Sequence, residues 1–462
     1  MKILGKVTLV AAVTACGVVA LFGMKVAWAE PRALTLEEAL EITLRNNRDI
    51  QLAKEYRNKV MGIYVEQRGF ALPNVVAAAT GGRSWDQALS NAQSKAIDTP
   101  TIRISPTVSI PASRITVDVP PDGVDKAVGV TMTQPLYTWG QVSAAIRAAK
   151  YGIASADDQL RQFQQAAMRD VSAAFYDVLM AKEFNTIAVH NLGQKEAHSD
   201  QAKRKFLAGV ATEYDVLSAQ VAVENARPDA IRSENAIRLA QERLRYLLAL
   251  SDQVDAMGTL VADRSIIPEY DETFETALKR RPELADLRDR VGLASELVKV
   301  YGAGNKPRLD MKATAGYREL TTGHEDFDGK TWSVGVALTF PFFDGFKTKG
   351  KVAQAKSDLA SLKIGQAKAI DSISLQVRDA INSASESDGI VTALMGTVAQ
   401  AERLLQMAEK GYEFGVKTKL DVDDAELNVI AARGNLAKAK RDNLVARVNL
   451  KYAAGILGEE KR

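Results

Sequence analysis

The chain has 462 residues, with 60 Lys and Arg against 57 Asp and Glu and a single cysteine, Cys16. Near neutrality excludes a nucleic-acid partner held by bulk charge, and one cysteine excludes a disulfide framework or a cysteine metal cluster. Stability must therefore come from packing.

The N-terminus reads as a secretory leader: Lys2 and Lys6, then an apolar stretch from Val7 to Phe22, then the small-x-small site Ala27-Trp28-Ala29. Cleavage there removes residues 1–29 and leaves 57 charged residues of each sign. A membrane anchor is the alternative, but Gly23 and Lys25 interrupt the apolar run. Val13-Thr14-Ala15-Cys16 loosely fits a lipobox, although acylation there would leave Gly17 to Ala29 dangling. Beyond the leader no stretch approaches the ~20 apolar residues of a spanning helix, so any membrane crossing must be made by β-strands.

The rest of the chain repeats itself. Gly209-Val210-Ala211-Thr212 with Asp215-Val216 matches Gly415-Val416-Lys417-Thr418 with Asp421-Val422, and Gln134-Pro135-Leu136-Tyr137 matches Phe340-Pro341-Phe342-Phe343 at the same offset of 206. Leu72-Pro73 and Lys306-Pro307 match at 234, which gives the first half 28 extra residues between its two prolines. The expected organisation is a first repeat over 30–251, with a β-hairpin at 73–135 and helices at 141–208 and 213–250. A linker over 252–270 follows, and then a second repeat over 271–462, with a hairpin at 307–341 and helices at 347–414 and 418–456.

Periodicity separates the two kinds of segment. Residues 136–227 and 342–462 contain no proline, as long helices require. Val142, Ile146, Ala149, Ile153, Ala156, Leu160, Phe163 and Ala167 alternate steps of four and three, the coiled-coil period. The hairpins instead alternate with period two: Leu309, Met311, Ala313, Ala315 and Tyr317, then Trp332, Val334, Val336, Leu338 and Phe340, and in the first half Val128, Val130 and Met132. Asn74 to Gly82 is the weak strand, with alanines on both faces. Phe70, Tyr137, Trp139, Tyr317, Trp332, Phe340, Phe342 and Phe343 suit an interfacial girdle. A soluble hairpin packed on the helices explains the alternation equally well. Export and strand length favour the membrane. Four strands cannot close a barrel in lipid, so several copies must join: two give eight strands, three give twelve.

This plan resembles the TolC family of outer-membrane efflux proteins, from Leu34-Thr35-Leu36-Glu37-Glu38-Ala39-Leu40 to the last helix, most specifically in the paired Gly-Val-x-Thr-x-x-Asp-Val segments and the proline-aromatic joints. The resemblance implies a mixed α and β fold in which a homotrimer builds a twelve-stranded β-barrel in outer-membrane lipid above a periplasmic α-barrel of coiled-coil helices. It also implies two partners, a periplasmic adaptor and an inner-membrane pump of RND or ABC type, and export of a polypeptide by a type I system is the alternative. A periplasmic coiled-coil scaffold is the reading from a different class. By the same resemblance Gly209, Val210, Thr212, Gly415, Val416 and Thr418 form the tip that docks the adaptor, and Asp421 and Asp424 ring the aperture. Asp215 accepts bonds from Tyr412 and Lys417 in a latch, with Lys417 standing where an arginine is usual.

The local chemistry has its own reading: the glycines end helices with φ > 0, the threonines cap the next ones, and Asp421, Asp423 and Asp424 suit a helix N-terminus. Pro228 and Gly434 are expected to bend their helices. His190, His198 and His324 lack zinc spacing and read as surface residues. No phosphate loop or nucleophile motif is present, so neither an enzyme nor a cofactor is expected.

Overall fold

The computed structural model describes residues 32–93, 95–105, 108–117, 121–322 and 325–458. The expected leader and His324 lie outside them. β1 (Arg32–Leu34) and α1 (Leu36–Asn46) lead to α2 (Arg48–Gly69) and β2 (Asn74–Trp85). The enlarged connection carries α3 (Gln87–Gln93), β3 (Lys95–Thr99), β4 (Ile102–Ser105), β5 (Val108–Ile110) and β6 (Ser113–Val117), and β7 (Asp122–Tyr137) returns from it. α4 (Gln141–Leu207), α5 (Glu213–Leu248) and β8 (Val254–Ala256) follow, then α6 (Tyr270–Arg280) and α7 (Pro282–Gly302). β9 (Arg308–Thr322), β10 (Glu325–Thr339), α8 (Lys347–Glu413) and α9 (Lys419–Ala453) complete the chain.

Four strands form one antiparallel sheet in the order β10-β9-β7-β2. Its register sorts the period-two pattern onto two faces. Ala77, Val130, Ala315 and Trp332 sit side by side across all four strands, with Val75, Met132, Ala313 and Val334 in the next row, so one face is a continuous apolar band. The other face carries Thr131, Thr314 and Ser333, Gly129 opposite Gly316, and the cross-strand pair Arg318–Asp125 with bonds of 2.9 and 2.8 Å. The apolar residues run along β10 from Trp332 to Leu338 and on to Phe340 just beyond it, about 26 Å of chain, the length scale of a barrel's lipid-facing band. Among the described residues β2 and β10 are each paired on one side only.

The strand-to-helix joints need left-handed backbone. Trp139 and Gly140 take φ of 51° and 79°, and Gly345 and Phe346 take 62° and 64°. Each joint thus strains one aromatic residue and relieves its neighbour with glycine.

α4 and α8 each have 67 residues, about 100 Å of helix. α2 and α7 flank the sheet-proximal part of α4, where Arg57 pairs with Asp157 and Arg147 with Glu296 at 2.8 Å. Farther along, α5 lies against α4 and α9 against α8, tied by Ser233–Asn185 at 2.9 Å and Arg433–Glu402 at 2.6 Å. α9 also packs on α4, with Arg441 on Asp177 at 2.8 Å. Ala149, Ala156 and Ala167 of the expected seam are buried, while Phe163 stays exposed.

Two apolar cores brace the helices midway. Parallel β1 and β8 enclose Leu34, Val171, Phe175, Val178, Leu244 and Leu248, and α6 and α7 cover Ile373, Val377 and Leu450. Leu244 and Leu248 are fully buried, a contribution of about 1.5–3 kcal/mol each. Pro228 does not break its helix: α5 runs from Glu213 to Leu248 through it. Gly434 makes a close contact, since a Cβ there would lie 3.3 Å from the Phe184 ring of α4.

Candidate functional site

The sheet-distal ends of the helices carry two copies of one turn. Gly209 and Gly415 adopt φ of 75° and 73°, which lets Val210 N–H reach the Lys205 carbonyl at 3.0 Å and Val416 N–H reach that of Gly411 at 2.8 Å. Thr212 then caps α5 and Thr418 caps α9. In each capping box the threonine hydroxyl receives the aspartate N–H, at 3.3 Å from Asp215 and 3.2 Å from Asp421, and each carboxylate receives the threonine N–H at 2.8 Å. The backbone N–H and hydroxyl of Thr212 hold the Asp215 carboxyl below its ordinary range. Those of Thr418, with Lys417, do the same for Asp421. Lys205 Nζ lies 5.8 Å from the centre of the Tyr412 ring, so the two tips sit side by side.

Gly209, Val210, Thr212, Gly415, Val416 and Thr418 therefore converge on one end of the molecule. Val210 and Val416 are 74% and 80% exposed, and Leu207, Tyr214, Phe414 and Leu420 extend an apolar surface around them. Asp421 and Asp424, three residues apart, share a face of α9, and Asp424 is exposed.

The expected latch is not made within the chain. Lys417 Nζ lies 3.4 Å from Asp421, one turn along its own helix, and Asp215 is engaged by its own cap. Tyr412 faces Lys205 instead.

A second polar cluster lies two to four turns above the tip of α4. Lys195 pairs with Glu426 and, at 3.2 Å, with Asp423, while His198 Nε2 is 3.1 Å from Glu426 and Lys419 reaches Asp423 at 2.9 Å. His198 is thus a partner of a buried acid rather than a solvated surface residue. Glu426 is only 2% exposed. Burial raises its carboxyl, but hydrogen bonds from His198 and Lys195 and the charges of Lys195 and Lys419 outweigh this and hold it at about 2. His190 lines a cavity of about 210 Å³ above this cluster, with Asn191, Gln194, Glu402 and Arg433. The available signal was the i, i+3 spacing of Lys195 with His198 and of Asp423 with Glu426, two polar pairs on helices that share a seam. Among the described residues no three His, Cys, Asp or Glu side chains converge as a metal site, and no helix is long and apolar enough to cross a membrane.

The family model described as outer membrane efflux protein matches residues 39–250 and 273–456. The chain is 25% identical to the alkaline protease secretion protein AprF of Pseudomonas aeruginosa over 437 residues, 92% of this chain and 85% of that protein. It is 25% identical to the outer membrane efflux protein BepC of Brucella suis, over 71% and 72%. The fold superposes on the Campylobacter jejuni CmeC outer membrane channel with a TM-score of 0.73 at 17% identity, covering 92% of this chain and 87% of that one. The chain belongs to the outer membrane efflux protein family, the TolC family of outer-membrane channels, and so resides in the outer membrane with its helices extending into the periplasm.

Proposed function

We propose that three copies of the chain form a passive exit duct. The observation that carries this reading is a four-stranded sheet, apolar on one face, with both edges unpaired among the described residues, mounted on helices of about 100 Å. Unpaired edges are not tolerated in lipid, and pairing β10 of one copy with β2 of the next closes a twelve-stranded barrel with its Thr, Gly and Arg318–Asp125 face toward the lumen. The two halves of each chain are a tandem duplication, since α4 and α8 have equal length and start 206 residues apart, at Gln141 and Lys347.

Cargo enters at the tips. Asp421 and Asp424 from three copies place six carboxylates around the aperture, where they attract cations. The exposed apolar surface around Gly209, Val210, Thr212, Gly415, Val416 and Thr418 docks a periplasmic adaptor, which couples the duct to an inner-membrane pump of RND or ABC type. The duct itself performs no chemistry. The likeness to AprF over 92% of the chain favours a second reading, in which the cargo is a polypeptide delivered by a type I system.

The mass of the detergent-solubilised protein by light scattering tests the assembly. Three chains are expected, with heat-modifiable migration on gels. A monomer that carbonate releases from membranes would leave the periplasmic scaffold as the better reading.

A further inference from the structure

The strand register decides which charges share the polar face of the sheet. From the row of Arg308 and Thr339 to the row of Asp125, Leu320 and Phe327, the charged residues on that face are Arg308, Asp310, Lys312, Arg318 and Asp125. Four of them cancel in pairs. Arg308 Nε donates to both carboxylate oxygens of Asp310, at 2.9 and 2.8 Å, and Arg318 makes its two bonds to Asp125 across β9 and β7. Lys312 is left over: it is exposed and has no acid partner among the described residues.

The residues around it leave this cation prominent. Lys312 lies between Gly335 of β10 and Thr133 of β7, with Asn74 of β2 completing the row, and the next row on the same face is Ser333, Thr314, Thr131 and Val76. All of these side chains are short, so the ammonium on its four-carbon stem reaches farther from the sheet than anything beside it. The row between these two, Val75, Met132, Ala313 and Val334, points the other way and belongs to the apolar band. Lys312 therefore sits at the depth of that band and not at the rim of the sheet.

We propose that Lys312 from three copies forms an electropositive ring inside the β-barrel, a site that concentrates small anions in the lumen and is opposite in sign to the carboxylates of the tip. The inference rests on the trimeric duct reading. Twelve strands about 4.8 Å apart and tilted about 40° close a circle of roughly 24 Å, so an ion on the axis is about 12 Å from the strands. The three ammonium groups extend toward it and come within the ~10 Å Debye length of 0.1 M salt. Rings of lysine or arginine favour anions in pores, as rings of acids favour cations. Summed over three charges and screened by salt, the attraction should enrich a monovalent anion over a monovalent cation roughly five- to tenfold in the rows next to the ring. The bound pairs Arg308–Asp310 and Arg318–Asp125 flank the ring on either side along β9 and leave its sign unopposed.

The test uses the full-length protein in lipid nanodiscs with Ser333→Cys as reporter, one row from Lys312 on the same face, since Cys16 is the only native cysteine and lies in the expected leader. An anionic and a cationic methanethiosulfonate are compared, each rate divided by that for a free thiol. At 0.1 M salt the anionic reagent should react roughly five- to tenfold faster, and at 1 M, where the Debye length is about 3 Å, the two rates should meet. Lys312→Gln should bring the ratio near one and Lys312→Glu should invert it, with the heat-modifiable trimer unchanged because Lys312 holds no partner. A ratio near one in the parent, or one that Lys312→Gln leaves in place, overturns the ring alone. Labelling of Val334→Cys, on the apolar face, while Ser333→Cys stays protected reverses the two faces and overturns the ring as well. A monomeric mass, or a trimer in which neither thiol is reached, overturns the ring together with the duct.

Discussion

Replacing Glu426 by Gln removes the negative charge, and one of the two acceptor oxygens, that join α9 to α4 near the tip. Glu426 is 2% exposed, and its carboxyl is held at about 2 against an ordinary 4.5. That difference corresponds to roughly 3 kcal/mol of preferential stabilisation of the ionised form in the fold. The cost of the variant should be at most similar, because Lys195 and His198 are left facing a neutral amide in a partly buried seam. Native-state hydrogen exchange of residues 419–430 is the assay, since it reports local opening without requiring reversible unfolding of a membrane trimer. Exchange should accelerate on the order of 100-fold at neutral pH. The sign with pH follows from the depressed carboxyl: its contribution is complete above pH about 5 and is lost as pH falls through 4.5 toward 2, so wild type and variant should converge in acid. Lys195→Met with Glu426→Leu should recover much of the loss, because the desolvation of two charges goes with the pair. Exchange in Glu426→Gln within twofold of wild type at pH 7 would refute the reasoning.

Other consequences follow from named contacts. A Cβ on Gly316 would lie 2.5 Å from the Val128 carbonyl oxygen and 2.9 Å from Gly129 Cα, so Gly316→Val should force β7 and β9 apart and sharply reduce the heat-modifiable trimer on gels. Thr212→Ala and Thr418→Ala should each cost about 1 kcal/mol of first-turn stability, read as faster proteolysis at the corresponding tip. Gly209→Val and Gly415→Val combine strain at positive φ with added bulk on the proposed docking surface. They should lower export while the trimer still assembles, and export at wild-type rate would remove the tip from the adaptor interface.

The elements that obey a strict period were the legible ones. Two long proline-free spans became α4 and α8, and the alternation of Leu309–Tyr317 with Trp332–Phe340 became the apolar face of adjacent strands, because each pattern is set by backbone geometry within one segment. The turn chemistry of Gly209, Gly415, Thr212 and Thr418 was equally local. What depended on distant partners was not legible. β1 and β8 are three residues each and pair across more than 200 positions, so neither carries a period. Glu426 reads as one of many helix-surface acids until α4 brings Lys195 and His198 to it. The latch expected of Asp215, Tyr412 and Lys417 rests on the family resemblance, and within this chain Asp215 and Lys417 each have a partner within one turn. Pro228 was read by its propensity, but α5 continues through it from Glu213 to Leu248. The strands β3 to β6 of the enlarged connection were not legible either, since Pro100, Pro106 and Pro111 cut each run below the length at which a period shows.

The duct itself is tested most directly by single-channel conductance of the purified protein in planar bilayers, wild type against Asp421→Ala with Asp424→Ala, with and without a divalent cation. A small wild-type conductance that divalent ions block, and a block that disappears in the double variant, is the predicted result. Complete absence of channels from correctly folded trimers would contradict the account, and channels equally blocked in both proteins would remove Asp421 and Asp424 from the aperture.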